Sequence, residues 1–174
     1  MNRKIVWGIN LLVLMLLGVS LTVSYRYLYP SQTLMLSCSS ELFDTPDVNQ
    51  DAGQHYLLVD IMAKKQQAQI NYRYFNLDGS SAGVIRMQGK LARYDRYSNR
   101  FNFSVYTKEE SSENKNAAEN PRHMQYLSYI SSFNLDSKGM HNLSIEPLEL
   151  DPQRDYAVVL FQPSNTVCGC RLVH

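Results

Sequence analysis

Apolar and polar positions along the chain follow two regimes. From Ile5 to Tyr25 the run IVWGINLLVLMLLGVSLTVSY carries no charged side chain. At about 1.5 Å rise per residue it spans roughly 30 Å, the thickness of a bilayer's hydrocarbon core, and it predicts one transmembrane helix over 5–25. A cleaved signal peptide is the alternative, with Gly18-Val19-Ser20 as a small-x-small site. The apolar run, however, continues through Leu21 and Val23, longer than the usual h-region, so an uncleaved signal-anchor is expected. Met35-Leu36-Ser37-Cys38 matches a lipobox only loosely and lies well beyond the apolar segment.

Past the helix the period shortens to two. Leu34, Leu36 and Cys38 alternate, and His55 to Ala63 reads as a strand with an apolar middle. In QAQINYRYFNLDG, Ala68, Ile70, Tyr72 and Tyr74 share one face while Gln69, Asn71 and Arg73 take the other. Asp78-Gly79 then signals a hairpin turn. The next strand sets Ile85, Met87, Gly89 and Leu91 against Arg86, Gln88 and Lys90. After a second turn, Tyr94 to Asn99, Phe101, Phe103 and Val105 alternate again, which makes a meander. The tract KEESSENKNAAENP offers nothing to a core and predicts a mobile loop over 108–122.

His123 to Asn134 fits either a short helix, through Met124, Leu127 and Ile130, or a strand, through Leu127, Tyr129 and Phe133. Its β-branched and aromatic content and the following Asp136-Ser137-Lys138-Gly139 turn favour the strand. Asn142–Leu150, Asp155–Gln162 and Thr166–Val173 complete the run. The predicted fold is mainly β: a single transmembrane helix followed, over 33–174, by a small antiparallel β-barrel or sandwich of about seven or eight strands.

The flanking residues add orientation. Arg3 and Lys4 precede the helix, so the positive-inside bias places residues 1–4 in the cytoplasm and the β-domain outside, in a bacterial periplasm. Trp7 and the cluster Tyr25, Tyr27, Tyr29 suit the two interfaces, Pro30 ends the helix, and 26–32 reads as a juxtamembrane linker. With Arg3, Lys4 and Arg26 set aside, 14 basic residues face 16 acidic ones, a formal −2. That balance argues against a nucleic-acid surface, and only four residues precede the helix to carry a cytoplasmic DNA-binding domain.

Catalytic signatures are missing: there is no G-x-S-x-G, H-E-x-x-H, P-loop or Gly-rich dinucleotide turn. An enzyme is not expected, nor any cofactor. Histidines 55, 123, 141 and 174 are scattered, none at metal spacing from another; His123 and His141 are candidates for a pH response near 6. Glu109, Glu110 and Glu113 read as solvating charges. Asn102-Phe103-Ser104 and Asn142-Leu143-Ser144 match glycosylation sequons, which matter only in a eukaryotic secretory pathway.

The three cysteines gain meaning from the compartment. In an oxidising periplasm Cys38 on the first strand can pair with Cys168 or Cys170 on the last. The latter two point to the same face of a strand, so periodicity leaves the choice open. A Cys168–Cys170 bond closes a strained ring, and a metal lacks a second pair of ligands. Tyr72, Tyr74, Phe101 and Phe103 either fill the core or line an apolar pocket for a small ligand.

A basic N-terminus, one helix and a small exported β-domain, with Cys38 in LMLSCSSEL, Met87-Gln88-Gly89 in an early meander and a closing CGC, resemble the FidL-like family of enterobacterial membrane proteins. That family is similar in organisation to the ToxS and PsaF accessory proteins. The resemblance implies a non-enzymatic inner-membrane protein that stabilises or modulates the periplasmic domain of a ToxR-like, membrane-bound winged-helix regulator. It also implies that a lipocalin-like barrel sensing a bile-salt-type molecule is an alternative. A component of a secretion, pilus or envelope assembly is the third reading. Partner binding through exposed strand edges is one expected mode.

Overall fold

The computed structural model describes residues 3–28, 33–43, 54–64, 66–95, 97–113 and 120–173, the side chains of 25–28 and 43 excepted. Two compact units, Met1–Gln32 and Thr33–His174, divide the chain at the predicted start of the β-domain.

The first unit is the helix α1, Arg3–Leu28. Its segment Arg3–Ser24 is long and apolar enough to cross a membrane, with mean hydropathy 2.2 and no part buried by the rest of the chain. Trp7, Leu14 and Leu21 are each about 70% exposed, as side chains facing lipid would be. The Tyr25 and Tyr27 side chains, Tyr29 and Pro30, expected at the outer interface, lie outside the described residues.

The second unit holds eight strands: β1 Thr33–Phe43, β2 Gln54–Lys64, β3 Gln67–Asn76, β4 Ser81–Asp95, β5 Arg100–Ser112, β6 His141–Asp151, β7 Tyr156–Gln162 and β8 Thr166–Leu172. Each pairs antiparallel with its neighbour in sequence, and β8 returns to β1, so the sheet closes into a barrel. Of the two architectures the pattern allowed, the barrel is the one formed.

Period-two alternation gives that barrel its core. Val59 and Ile61 of β2, Ile70, Tyr72 and Tyr74 of β3, Ile85 and Met87 of β4, Ile145 of β6, and Val159 and Phe161 of β7 point inward and are at most 2% exposed. The predicted hairpin turn closes β3 onto β4: Gly79 adopts φ +82°, and Asp78 Oδ1 accepts from both the backbone N–H and the hydroxyl of Ser80. A bulge between Gln88 and Gly89 shifts the β4–β5 register. There a Cβ on Gly89 would meet the Ser104 carbonyl oxygen at 2.1 Å, so only glycine allows the strands to approach.

Two expectations change. The tract read as a mobile loop over 108–122 begins as strand, because Lys108–Ser112 pairs with Met87–Gly83 of β4; residues 114–119 lie outside the described residues. Residues His123–Asn134, read as a strand, belong instead to a helix, α2, Arg122–Lys138. Eight strands close the ring without this segment, and its backbone is satisfied within the helix. Gly139 ends it in the left-handed region at φ +68°, donating its N–H to Leu135 O at 2.9 Å.

Register places α2 at one mouth. The chain enters the barrel at Thr33, opposite Lys64, and that mouth is rimmed by the β2–β3 hairpin and the end of β8. The other mouth is rimmed by the β3–β4 turn, the end of β5 and the β7–β8 turn, and α2 packs there against β4, β5 and β6. Met124, Leu127 and Ser131 are its buried residues. Met124 lies so close to Gly83 that a Cβ there would approach its Cε to 2.6 Å.

Candidate functional site

The α2 mouth brings together both candidate histidines, the buried Tyr72 and Tyr74, and a lysine–glutamate pair. His123, in the first turn of α2, bridges two strands: its Nδ1 lies 2.9 Å from the Tyr74 hydroxyl and its Nε2 2.8 Å from Thr166 Oγ1. Burial, followed by the neighbouring Tyr72, Glu110 and Cys168, holds the Tyr74 phenol well above its ordinary range. Tyr74 therefore remains protonated, and its hydroxyl and Thr166 Oγ1 each share one hydrogen bond with a ring nitrogen of His123, the donor in each being set by the imidazole tautomer.

Next to this bridge, Tyr72 is 1% exposed, its hydroxyl has no hydrogen-bond partner among the described residues, and burial, with the neighbouring Cys168, also holds its phenol above the ordinary range. The Phe161 ring meets Tyr72 edge-on at 6.4 Å. Phe103 is also fully buried, whereas Phe101 is half-buried and packs on Tyr94 at 4.7 Å between ring centroids. Of the four aromatics proposed to line a pocket, three thus sit in the packed interior and the fourth near its edge. The open grooves of about 640 and 540 Å³ lie on the outer faces of β5–β7 and β2–β5.

A lysine fastens α2 to β5. Lys108 Nζ donates to Ser128 O at 3.1 Å, Ser128 Oγ at 3.0 Å and Ser132 Oγ at 2.7 Å, and pairs with Glu110 at 3.1 Å. Glu110 in turn accepts from the Ser128 hydroxyl. Glu110, expected to be a solvating charge in a loop, is a member of this network.

His141 begins β6, fully buried, with Nδ1 3.1 Å from Asn134 Nδ2 and Nε2 unpartnered among the described residues. Burial first, and then the Lys108 ammonium, holds its pKa below the ordinary imidazole value. The two histidines singled out in the sequence are therefore both structural members of the α2 contact, on opposite flanks of it.

The cysteine question resolves by register. Cys38 stands opposite Cys170 in the β1–β8 ladder, and these two form the disulfide across a sequence separation of 132. Cys168 is a free, buried thiol, raised to about 12 by burial and lowered only in part by Ser40. Such a thiol is neither nucleophile nor ligand at neutral pH. Among the described residues no three His, Cys, Asp or Glu side chains gather as a metal site.

The outer face of α2 carries the feature that sequence reasoning missed. Tyr126, Tyr129 and Phe133 are 46%, 70% and 55% exposed, with the Tyr129 and Phe133 rings stacked at 6.4 Å. Their spacing of three and four residues puts them on one stripe of a helix; in a strand reading that stripe does not exist. Aromatic side chains of this kind dominate protein–protein contact energies.

Strand edges are confined to the ends of two seams. Closure leaves, among the described residues, Ser40–Phe43 of β1 on its β8 side, Thr166–Cys168 of β8 on its β1 side, Tyr106–Ser112 of β5 on its β6 side and Glu146–Asp151 of β6 on its β5 side without a ladder. Compared with family models, curated proteins and solved structures, the chain gives no match.

Proposed function

We propose that the protein is a non-enzymatic, membrane-anchored accessory protein that binds the exported domain of a membrane-bound, ToxR-like winged-helix regulator and stabilises it or modulates its output. The observation that carries a binding role is the exposed aromatic stripe of Tyr126, Tyr129 and Phe133 on a helix that is itself tied down by His123 and Lys108. Rigid aromatic anchors on a fixed element lose little entropy on docking. The partner's class comes from the resemblance to FidL-like proteins, which supports a regulator without naming one.

An apolar helix able to span a bilayer supports the anchored part of the reading, because sharing one membrane raises the effective concentration of a partner without a strong interface. The disulfide supports an oxidising compartment, the periplasm, for the barrel, with residues 1–4 cytoplasmic. A bile-salt-type sensor barrel is the second reading, but the packing of Tyr72, Tyr74 and Phe103 at the core favours the protein partner.

Affinity purification of the full chain from solubilised bacterial membranes tests this. Wild type recovers a single-pass membrane protein with a cytoplasmic winged-helix domain, and Tyr129→Ala with Phe133→Ala loses it. Recovery of secretion, pilus or division components in its place overturns the proposal.

A further inference from the structure

The outer wall of the barrel carries a second surface of different chemistry, which reaches the rim opposite α2 at Lys64. A groove of about 540 Å³ runs across the outer faces of β2 to β5, lined by Met62, Lys64, Gln67, Gln69, Gln88 and Tyr106 among others. Its one charged lining residue is a lysine, and it has no carboxylate in its wall. The nearest acid on that face of β2, Asp60, is already neutralised by Arg73 at 2.6 Å.

A second cation stands at its edge. The β4–β5 bulge leaves Tyr106 without a register partner, since Gly89 pairs with Val105 and Gln88 with Thr107, and turns its ring outward, 42% exposed. Lys90 Nζ sits 5.5 Å from the centroid of that ring. Gln67, Gln69 and Gln88 add amide groups to the groove wall, Gln69 donating from Nε2 to Asn71 Oδ1 at 3.2 Å. Met62, 54% exposed, and Val173, 49% exposed, add apolar side chains on the same side of the barrel.

Position decides between ligands. Lys64 pairs with Thr33, the first residue of the barrel, and only residues 29–32 separate Thr33 from Leu28 of α1. That linker reaches at most about 18 Å. A groove with two cations, no acid and apolar flanks, on a rim so short a tether from an apolar helix, matches a lipid headgroup in charge and polarity.

We infer that this groove binds the phosphodiester headgroup of an anionic phospholipid in the membrane that α1 spans, with Lys64 and Lys90 taking the phosphate and the glutamine amides the polar headgroup. The inference rests on α1 being a membrane anchor and is independent of the partner assigned to α2.

The test uses the full chain, purified in a neutral detergent and stripped of lipid, and counts lipid adducts by native mass spectrometry. Phosphatidylglycerol adducts are expected, phosphatidylcholine adducts are not, and Lys64→Gln and Lys90→Gln each lower phosphatidylglycerol binding about fivefold. Lys138→Gln, at the far mouth, leaves it unchanged, and any binding by Arg3 and Lys4 cancels between variants. Adducts insensitive to both groove variants, or equal for the two lipids, overturn the inference. Competition by free glycerol phosphate at the lipid's own concentration shows a soluble-phosphate site and overturns the lipid assignment. Failure of α1 as an anchor reads out separately, as release of the full chain from membranes by alkaline carbonate.

Discussion

Reducing the Cys38–Cys170 bond removes the one covalent tie across the seam that closes the barrel. That seam is short: only four register pairs, Leu36–Leu172 through Ser39–Gly169, join β1 to β8. Its two strands lie at opposite ends of the domain's sequence, so without the bond their pairing must offset the loop-closure entropy of almost the whole unit. For a separation of 132 residues the chain-entropy relation gives about 5 kcal/mol at 25 °C. Against a total of about 5–15 kcal/mol for an ordinary domain, that is a large share. The assay is urea unfolding of the full chain in mild detergent, followed by tyrosine fluorescence, with and without reductant. At a slope of about 2 kcal/mol/M the reduced barrel unfolds about 2.5 M earlier. Cys38→Ala and Cys170→Ala match the reduced wild type and no longer respond to reductant. Cys168→Ala, which removes only a buried sulfur, costs about 1 kcal/mol and keeps its response. A reduced midpoint within about 0.5 M of the oxidised one refutes the reasoning on the seam, and a Cys170→Ala variant that still forms an intramolecular bond refutes the pairing.

Four further outcomes are expected. Gly89→Ala forces a Cβ against the Ser104 carbonyl, a backbone atom that cannot turn aside, and lowers stability by about 2–4 kcal/mol in the same unfolding assay. Lys108→Met leaves Ser128, Ser132 and Glu110 without their shared donor and loosens α2 by about 2 kcal/mol, seen as faster amide exchange confined to residues 122–138. Because His141 binds a proton less readily folded than unfolded, its contribution is complete above about pH 6.5 and is lost as pH falls from there toward its lowered folded value; His141→Gln flattens a midpoint profile between about pH 7 and 5, and a flat wild-type profile contradicts this. Cys168, raised to about 12 and buried, resists iodoacetamide at pH 8 until the chain is unfolded, when one thiol reacts.

Much of the barrel could be read from residues alone, because its strands are half-buried and a period of two is then a direct image of inside and outside. Ile70, Tyr72 and Tyr74 against Asn71 and Arg73, and the Asp78-Gly79 turn, are such cases. The α2 segment was not legible for the converse reason. Its aromatic residues Tyr126, Tyr129 and Phe133 face solvent while Ser131 is buried, so apolarity no longer marks the core side. The helix signals that remained were the Met124–Leu127 spacing, Pro121 just before the helix, and Gly139 with Lys138 at its end. Lys108 and Glu110 were hidden in the same way, within a polar tract whose first five residues are paired strand. The cysteine choice lay beyond periodicity, since Cys168 and Cys170 share a face; only the register of β8 on β1 sets Cys170, not Cys168, opposite Cys38.

The central claim is that α2's outer face is where a membrane-bound regulator docks. Replacing Tyr129 with a photo-crosslinking phenylalanine analogue in the full chain, in intact cells, tests it most directly, with the same analogue at Leu148, an exposed position on β6, as the control. The account predicts a light-dependent product from position 129, absent from 148, whose partner is a single-pass protein with a cytoplasmic winged-helix domain. Products of equal yield from both positions, or a position-129 product with envelope machinery in place of a regulator, would contradict it.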